Sequence, residues 1–137
     1  MLNKIYHLFK TSKLLRLSFS AGFGAFSLYT LNKFYLRDLL NWSFGKYYLN
    51  DVLAGLLIVG IVNILSIYGN QRRLLLIKLP RILVFTLLCG MFWEYVTPVY
   101  LHYSVSDPFD VAAYMFGGLC YWIIIRMNPV NRPNSYN

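Results

Sequence analysis

Acidic side chains are scarce in this chain: 5 Asp and Glu stand against 13 Lys and Arg in 137 residues. Cysteine is scarcer still, with only Cys89 and Cys120, both set in apolar sequence. Neither belongs to a CxxC pair or a Cys/His spacing, which leaves no zinc or dithiol motif. Both read as small buried hydrophobes, an inter-helix disulfide being the other reading. Histidine is limited to His7 and His102. No hydrolase triad, phosphate loop or cofactor fingerprint is present. The net charge of +8 could point to nucleic acid or to an anionic membrane surface. No Gly-aromatic single-strand-binding pattern and no basic recognition helix supports nucleic acid.

Apolar sequence is what the chain has in excess. Hydrophobic residues make up 58% and charged residues 13%, against about 45–50% and about 25% in soluble domains. Aromatics reach 18%, and Tyr and Trp favour the membrane–water interface. A helix crosses the hydrocarbon core in about 20 residues. Four segments qualify, at about 14–31, 52–68, 79–100 and 109–125. The expected fold class is therefore all-α, an integral membrane four-helix bundle spanning residues 14–126.

The first segment is the least apolar. Its small residues Ser20, Gly22, Gly24, Ala25 and Ser27 suit close helix packing. Its start imitates a secretory leader but is too long and aromatic for one, so it reads as a retained span. The second segment holds Asn63 near its middle, which reads as a polar tie between helices. In the third, Lys78 and Arg81 can snorkel to the headgroups, and Pro80 fits a first helical turn. Ahead of the spans, residues 1–13 read as a basic amphipathic helix on the lipid surface. Tyr35 to Tyr48 is too broken by charge to span and reads as interfacial. Residues 127–137 form a polar tail.

Lys and Arg set the orientation. With the N-terminus in the cytoplasm, 10 bases fall inside and 3 (Lys33, Arg37, Lys46) outside. Both termini are then cytoplasmic, and His7 and His102 lie on opposite sides. All five acids (Asp38, Asp51, Glu94, Asp107 and Asp110) land on the outer side. The orientation rule counts bases, so it does not force this.

Capping accounts for some of these acids. Asp107 suits an N-cap, Pro108 the first helical position, and Asp110 the third, from which its carboxylate can reach back. Asn50-Asp51 can open the second helix in the same way. Glu94 is different, because it sits where the negative end of its own helix dipole disfavours it. An acid within a span needs a partner. The candidates are Lys33, Arg37, Lys46, a bound cation or a proton. Were the helices to bundle, Asp51, Glu94, Asp107 and Asp110 would form an outward binding site. Clustered carboxylates bind a hard cation or clamp a basic group, but the spacing is no metal motif, so a metal is left open. Trp93, Tyr95, Tyr100 and Tyr103 read as an interfacial belt, and His102 as a loop residue.

Trp93-Glu94, Thr97-Pro98, Ser106-Asp107-Pro108-Phe109-Asp110, Ala113-Tyr114 and Gly117-Gly118 together resemble the C-terminal signature of VanZ-like membrane proteins. Tyr48 to Ala54 also resembles the helix start of a group of small four-span bacterial proteins. The resemblance covers roughly residues 47–122 and indicates a distant branch. It implies a setting in the bacterial cell envelope and an association with tolerance to glycopeptide antibiotics such as teicoplanin; it implies no mechanism.

The expected function is a binding or accessory component with an outward acidic site. It would engage membrane lipids, an envelope protein or a lipid-linked ligand, and no nucleic acid. A second reading is proton- or cation-coupled transport, with a homo-oligomer building the path. A third is an enzyme on lipid-linked substrates, which would need a metal or nucleophile that the sequence does not display. No cofactor is indicated.

Overall fold

The computed structural model describes residues 12–36, 48–100 and 107–128. The expected surface helix at 1–13, the interfacial segment from Tyr35 to Tyr48 and the tail at 127–137 fall wholly or largely outside these residues. So do Arg37, Asp38, Lys46, His102 and Tyr103. The described residues are helical, with no strand.

Four helices carry the fold: α1 (Lys13–Leu31), α2 (Leu49–Tyr68), α3 (Leu79–Met91) and α4 (Pro108–Met127). Ser12 caps α1, its Oγ accepting from Leu15 N at 3.2 Å. Pro80 occupies the first turn of α3, as expected, where its missing N–H leaves no bond unmade. The chain leaves α2 through Gly69 and Asn70, whose φ of 54° makes the turn. A single tight turn at Arg72–Leu74 and an extended stretch then lead to α3.

Two helices do not end as regular α-helix. α1 runs into a π-helical stretch at Asn32–Leu36, and α3 into another at Phe92–Val96, followed by a short turn at Thr97–Tyr100. The sequence expectation was one uniform helix over 79–100. The wider π turn rotates the residues that follow it relative to an α-helix. Asn32 opens the first stretch and Glu94 lies within the second, and both are buried, at 2% and 7% exposure.

Three helical stretches are long and apolar enough to cross a membrane: Leu49–Tyr68, Leu79–Val96 and Pro108–Met127, with mean hydropathies of 2.1, 1.4 and 1.4. Helix α1 forms over the expected residues and has 19 of them. It falls outside this set because Lys13, Arg16 and its Ser and Gly residues dilute it.

The helices stand in the order α1, α2, α4, α3. Asn32 meets Asn50 and Ser18 meets Gly60, so α1 and α2 are antiparallel. Gly90 meets Val111 and Thr86 meets Gly118, so α3 and α4 are antiparallel too. The central pair is parallel: Gly55 lies against Tyr114, and Gly60 and Asn63 against Tyr121. At that crossing a Cβ on Gly55 would meet the Tyr114 carbonyl, and one on Gly117 the Val52 carbonyl. The two backbones touch, which only glycine permits. In a bilayer no hydrophobic drive pulls helices together, so such close packing and interhelical hydrogen bonds must hold them.

One network of such hydrogen bonds centres on Asn63. Asn63, fully buried, donates from Nδ2 to Leu76 O (3.0 Å) and to the Tyr121 hydroxyl (2.8 Å), and accepts from Leu76 N (2.7 Å). The Tyr121 hydroxyl lies 2.6 Å from Ser18 Oγ. Asn63 was expected to tie helix to helix. It does so through Tyr121, and it also grips the backbone of the segment that joins α2 to α3. Around this network pack Leu14, Val59, Ile82 and Ile125. On α1, Ser18, Gly22 and Ala25 are buried, whereas Gly24 has no neighbour within 4 Å. Cys89 and Cys120 are free and half-buried.

Large apolar side chains also face outward. Phe19, Phe23 and Phe26 on α1, and Val84, Leu88 and Met91 on α3, are each at least 44% exposed. Apolar faces this broad on both edge helices are unusual for a protein in water.

Candidate functional site

The parallel central pair puts two helix N-termini side by side, and the acids gather there. Asp51 lies in the first turn of α2, and Asp107 and Asp110 at the start of α4. Glu94 reaches the same end from the π-helical continuation of α3. The register explains the convergence: Asp51 is one turn before Gly55, and Asp110 one turn before Tyr114, which is the residue that Gly55 touches. The negative charges of Asp51, Glu94 and Asp110 act on one another, and Asp107 acts on Asp110. All four sequence candidates are thus brought to one end of the molecule. Two N-terminal dipoles favour negative charge there.

Asp107 behaves as expected of an N-cap, its Oδ1 accepting from Phe109 N at 2.9 Å. Its own N–H does not pair with the Asp110 carboxylate, as a capping box would have it. Glu94 takes that role from another helix, its Oε2 accepting from Asp107 N at 3.0 Å. The partner of Glu94 is therefore a backbone N–H, not Lys33 or any other described base. Lys33 instead lies 5.9 Å from the Tyr29 ring. This contact answers the dipole objection, because a carboxylate at the negative end of α3 meets the positive end of α4.

The capping expected of Asn50-Asp51 is not what forms. Helix α2 starts earlier, at Leu49, with Tyr48 as an N-cap that makes no side-chain capping bond. Asn50 and Asp51 are then inside the first turn. Asn50 Oδ1 accepts from Asn32 Nδ2 at 2.8 Å, tying α1 to α2.

Tyr48, Tyr114 and Asn32 complete the polar end, and sequence reading did not single them out as site residues. Tyr114 is 6% exposed and feels the charges of Asp51, Glu94 and Asp110. The Tyr48 hydroxyl donates to Asp107 Oδ2 across 3.5 Å, and its ring meets Phe109 edge-on at 6.4 Å. Beside this edge an open apolar groove of about 420 Å³ runs between α2 and α4, lined by Tyr48, Val52, Phe109, Ala112, Ala113 and Phe116. The signal for Tyr114 was its place one turn after Asp110, which matters only once the helix crossing is known.

Apart from Lys33, which lies at the acidic end, the described Lys and Arg residues occupy the opposite end. Lys13, Arg16, Arg72, Arg73, Lys78, Arg81 and Arg126 all lie at the α1 and α3 starts or the α2 and α4 ends. Arg126 stacks over the Trp122 ring at 4.8 Å. The donors recorded for the four carboxylates among the described residues are the backbone N–H groups of Asp51, Asp107 and Phe109 and the Tyr48 hydroxyl, none of them cationic. No three His, Cys, Asp or Glu side chains among the described residues are placed to hold one metal ion. The acids are near enough to act on one another electrostatically. Comparison with protein-family models, curated proteins and solved structures returned no match.

Proposed function

We propose that this chain is a small multi-pass protein of the bacterial inner membrane, a distant VanZ-like branch. It has four spans, both termini are cytoplasmic, and it acts as a binding or accessory component of the cell envelope. Helix α1 crosses alongside the three more apolar stretches because it packs on α2 along its length. The outward site of Asp51, Glu94, Asp107 and Asp110 engages a cationic group on an envelope ligand or a protein partner. One observation carries this reading: carboxylates from three helices converge with no described base among them. With no group of three ligating side chains among the described residues, the arrangement suits an ammonium or guanidinium better than a small metal ion. Nothing in the geometry requires bond-making chemistry.

The test is tolerance to teicoplanin in a susceptible Gram-positive host expressing the full chain. Tolerance should rise above the empty-vector level. Glu94→Gln keeps an oxygen that can accept from Asp107 N, so the variant should reach the membrane at the wild-type level. Its tolerance, and that of Asp51→Asn/Asp110→Asn, should return to the vector level. Absence of tolerance with the wild-type chain would end the VanZ-like reading. Wild-type tolerance in both variants would end the acidic site.

A further inference from the structure

The basic end of the molecule carries a second surface feature, a trough of about 460 Å³ between the α2–α3 connection and the first turns of α3. Arg73 and Arg81 stand in its lining, and Leu75, Pro80, Val84 and Leu88 give it apolar walls. We infer that this trough is a binding site for one anionic phospholipid, its phosphate held by Arg73 and Arg81 and an acyl chain lying along Val84 and Leu88.

Charge complementarity names the occupant. Every described carboxylate lies at the far end of the helices, so neither guanidinium has an acid near it among the described residues. A guanidinium matches phosphate oxygens in a two-pronged geometry that an ammonium does not. The shape agrees. Arg81, Val84 and Leu88 fall at helical spacing on one face of α3. From Arg81 to Leu88 that face descends about 10 Å at 1.5 Å per residue. Val84 and Leu88 are 56% and 60% exposed, so the stripe is open for an alkyl chain. A headgroup at Arg81 therefore places its tail toward the middle of the helix.

The opposing wall is fixed rather than loose. Leu76, in the same trough, has both its backbone N–H and its carbonyl bound by the side chain of Asn63. This holds the connection against α2 and sets where Arg73 can stand. Basic pockets between membrane helices on the cytoplasmic side bind anionic headgroups for the same reason. The inference needs the chain to sit in a bilayer, but it does not need the acidic site.

Native mass spectrometry of the detergent-purified full chain tests it, with phosphatidylglycerol and phosphatidylcholine supplied at equal concentration. Phosphatidylglycerol should be retained preferentially by the wild type. Arg73→Ala/Arg81→Ala should lose that retention by about 30-fold, the effect of two surface cations. Arg16→Ala/Arg126→Ala removes the same charge from the same end and should retain the lipid. Leu88→Trp, on an exposed face that tolerates bulk, should block the tail with both arginines intact. Equal loss in the charge-matched control, equal retention of phosphatidylcholine, or unchanged retention in Leu88→Trp would each overturn the assignment. Size-exclusion profiles of the variants confirm that each remains folded.

Discussion

Gly117→Val should all but abolish recovery of the folded chain. A Cβ at Gly117 would collide with the Val52 carbonyl and come within 2.8 Å of Leu56 N. Both are backbone atoms of α2, so no side chain can rotate away. Overpacking a core typically costs about 1–3 kcal/mol, and a clash against backbone belongs at or above the upper figure. Gly55→Ala attacks the same crossing from the other helix, through the Tyr114 carbonyl. The two substitutions together should cost less than their sum, because the helices need to separate only once. Gly24→Ala is the counterpart that should do no harm. Nothing lies within 4 Å of its Cβ position, and alanine in a helix is favoured by roughly 0.5–1 kcal/mol over glycine. Thermal unfolding in detergent reads all four variants. A Gly117→Val protein as stable as wild type would show that α2 and α4 do not touch here.

Asn63→Leu is expected to have the next largest effect. It leaves Leu76 N and Leu76 O without their partner and takes one of two partners from the Tyr121 hydroxyl, which keeps Ser18. Each buried polar group left unpaired costs about 1–3 kcal/mol, so with two such groups a loss on the order of 2 kcal/mol is the lower expectation. The damage should also be local. Freed from Asn63, the connection between α2 and α3 should open, and trypsin should cut faster after Arg72 and Arg73. Tyr121→Phe removes the hydroxyl shared by Ser18 and Asn63 but leaves the grip on Leu76. It should lower the melting temperature less and leave the trypsin rate near wild type. If Asn63→Leu leaves that rate unchanged, the connection is held by something else.

Much of the architecture was legible in hydropathy alone. The four helices fall where the apolar runs predict, and Asp107-Pro108 opens α4 because cap and proline chemistry are local. The gathering of the acids at one end was also legible, since it follows from span lengths and charge counting. What escaped depends on how helices cross. The partner of Glu94 could not be read from residues 92–96, because it is a backbone N–H thirteen positions later, reached through a π turn that no composition signals. Asn50 looked like a cap until the start of α2 at Leu49 turned its side chain toward Asn32. Asn63 looked like glue between helices because its second partner is a connection with no pattern of its own. Tyr114 became a site residue only when Gly55 was seen to bring α2 against it.

The parallel pairing of α2 and α4 also sets an order of events during synthesis. Parallel neighbours cannot be joined by a short turn, so α3 must be laid down between them before they can meet. The α1–α2 hairpin can close on itself as soon as Tyr68 is made, through Ser18 with Gly60 and Asn32 with Asn50. The acids cannot gather at that stage, because Glu94, Asp107 and Asp110 do not yet exist. Nor can Asn63 find Leu76 and Tyr121 until the chain has been made beyond them. A product ending at Tyr68 would thus carry Asp51 without the other three carboxylates of the site, and only the nearly finished chain presents the acidic end.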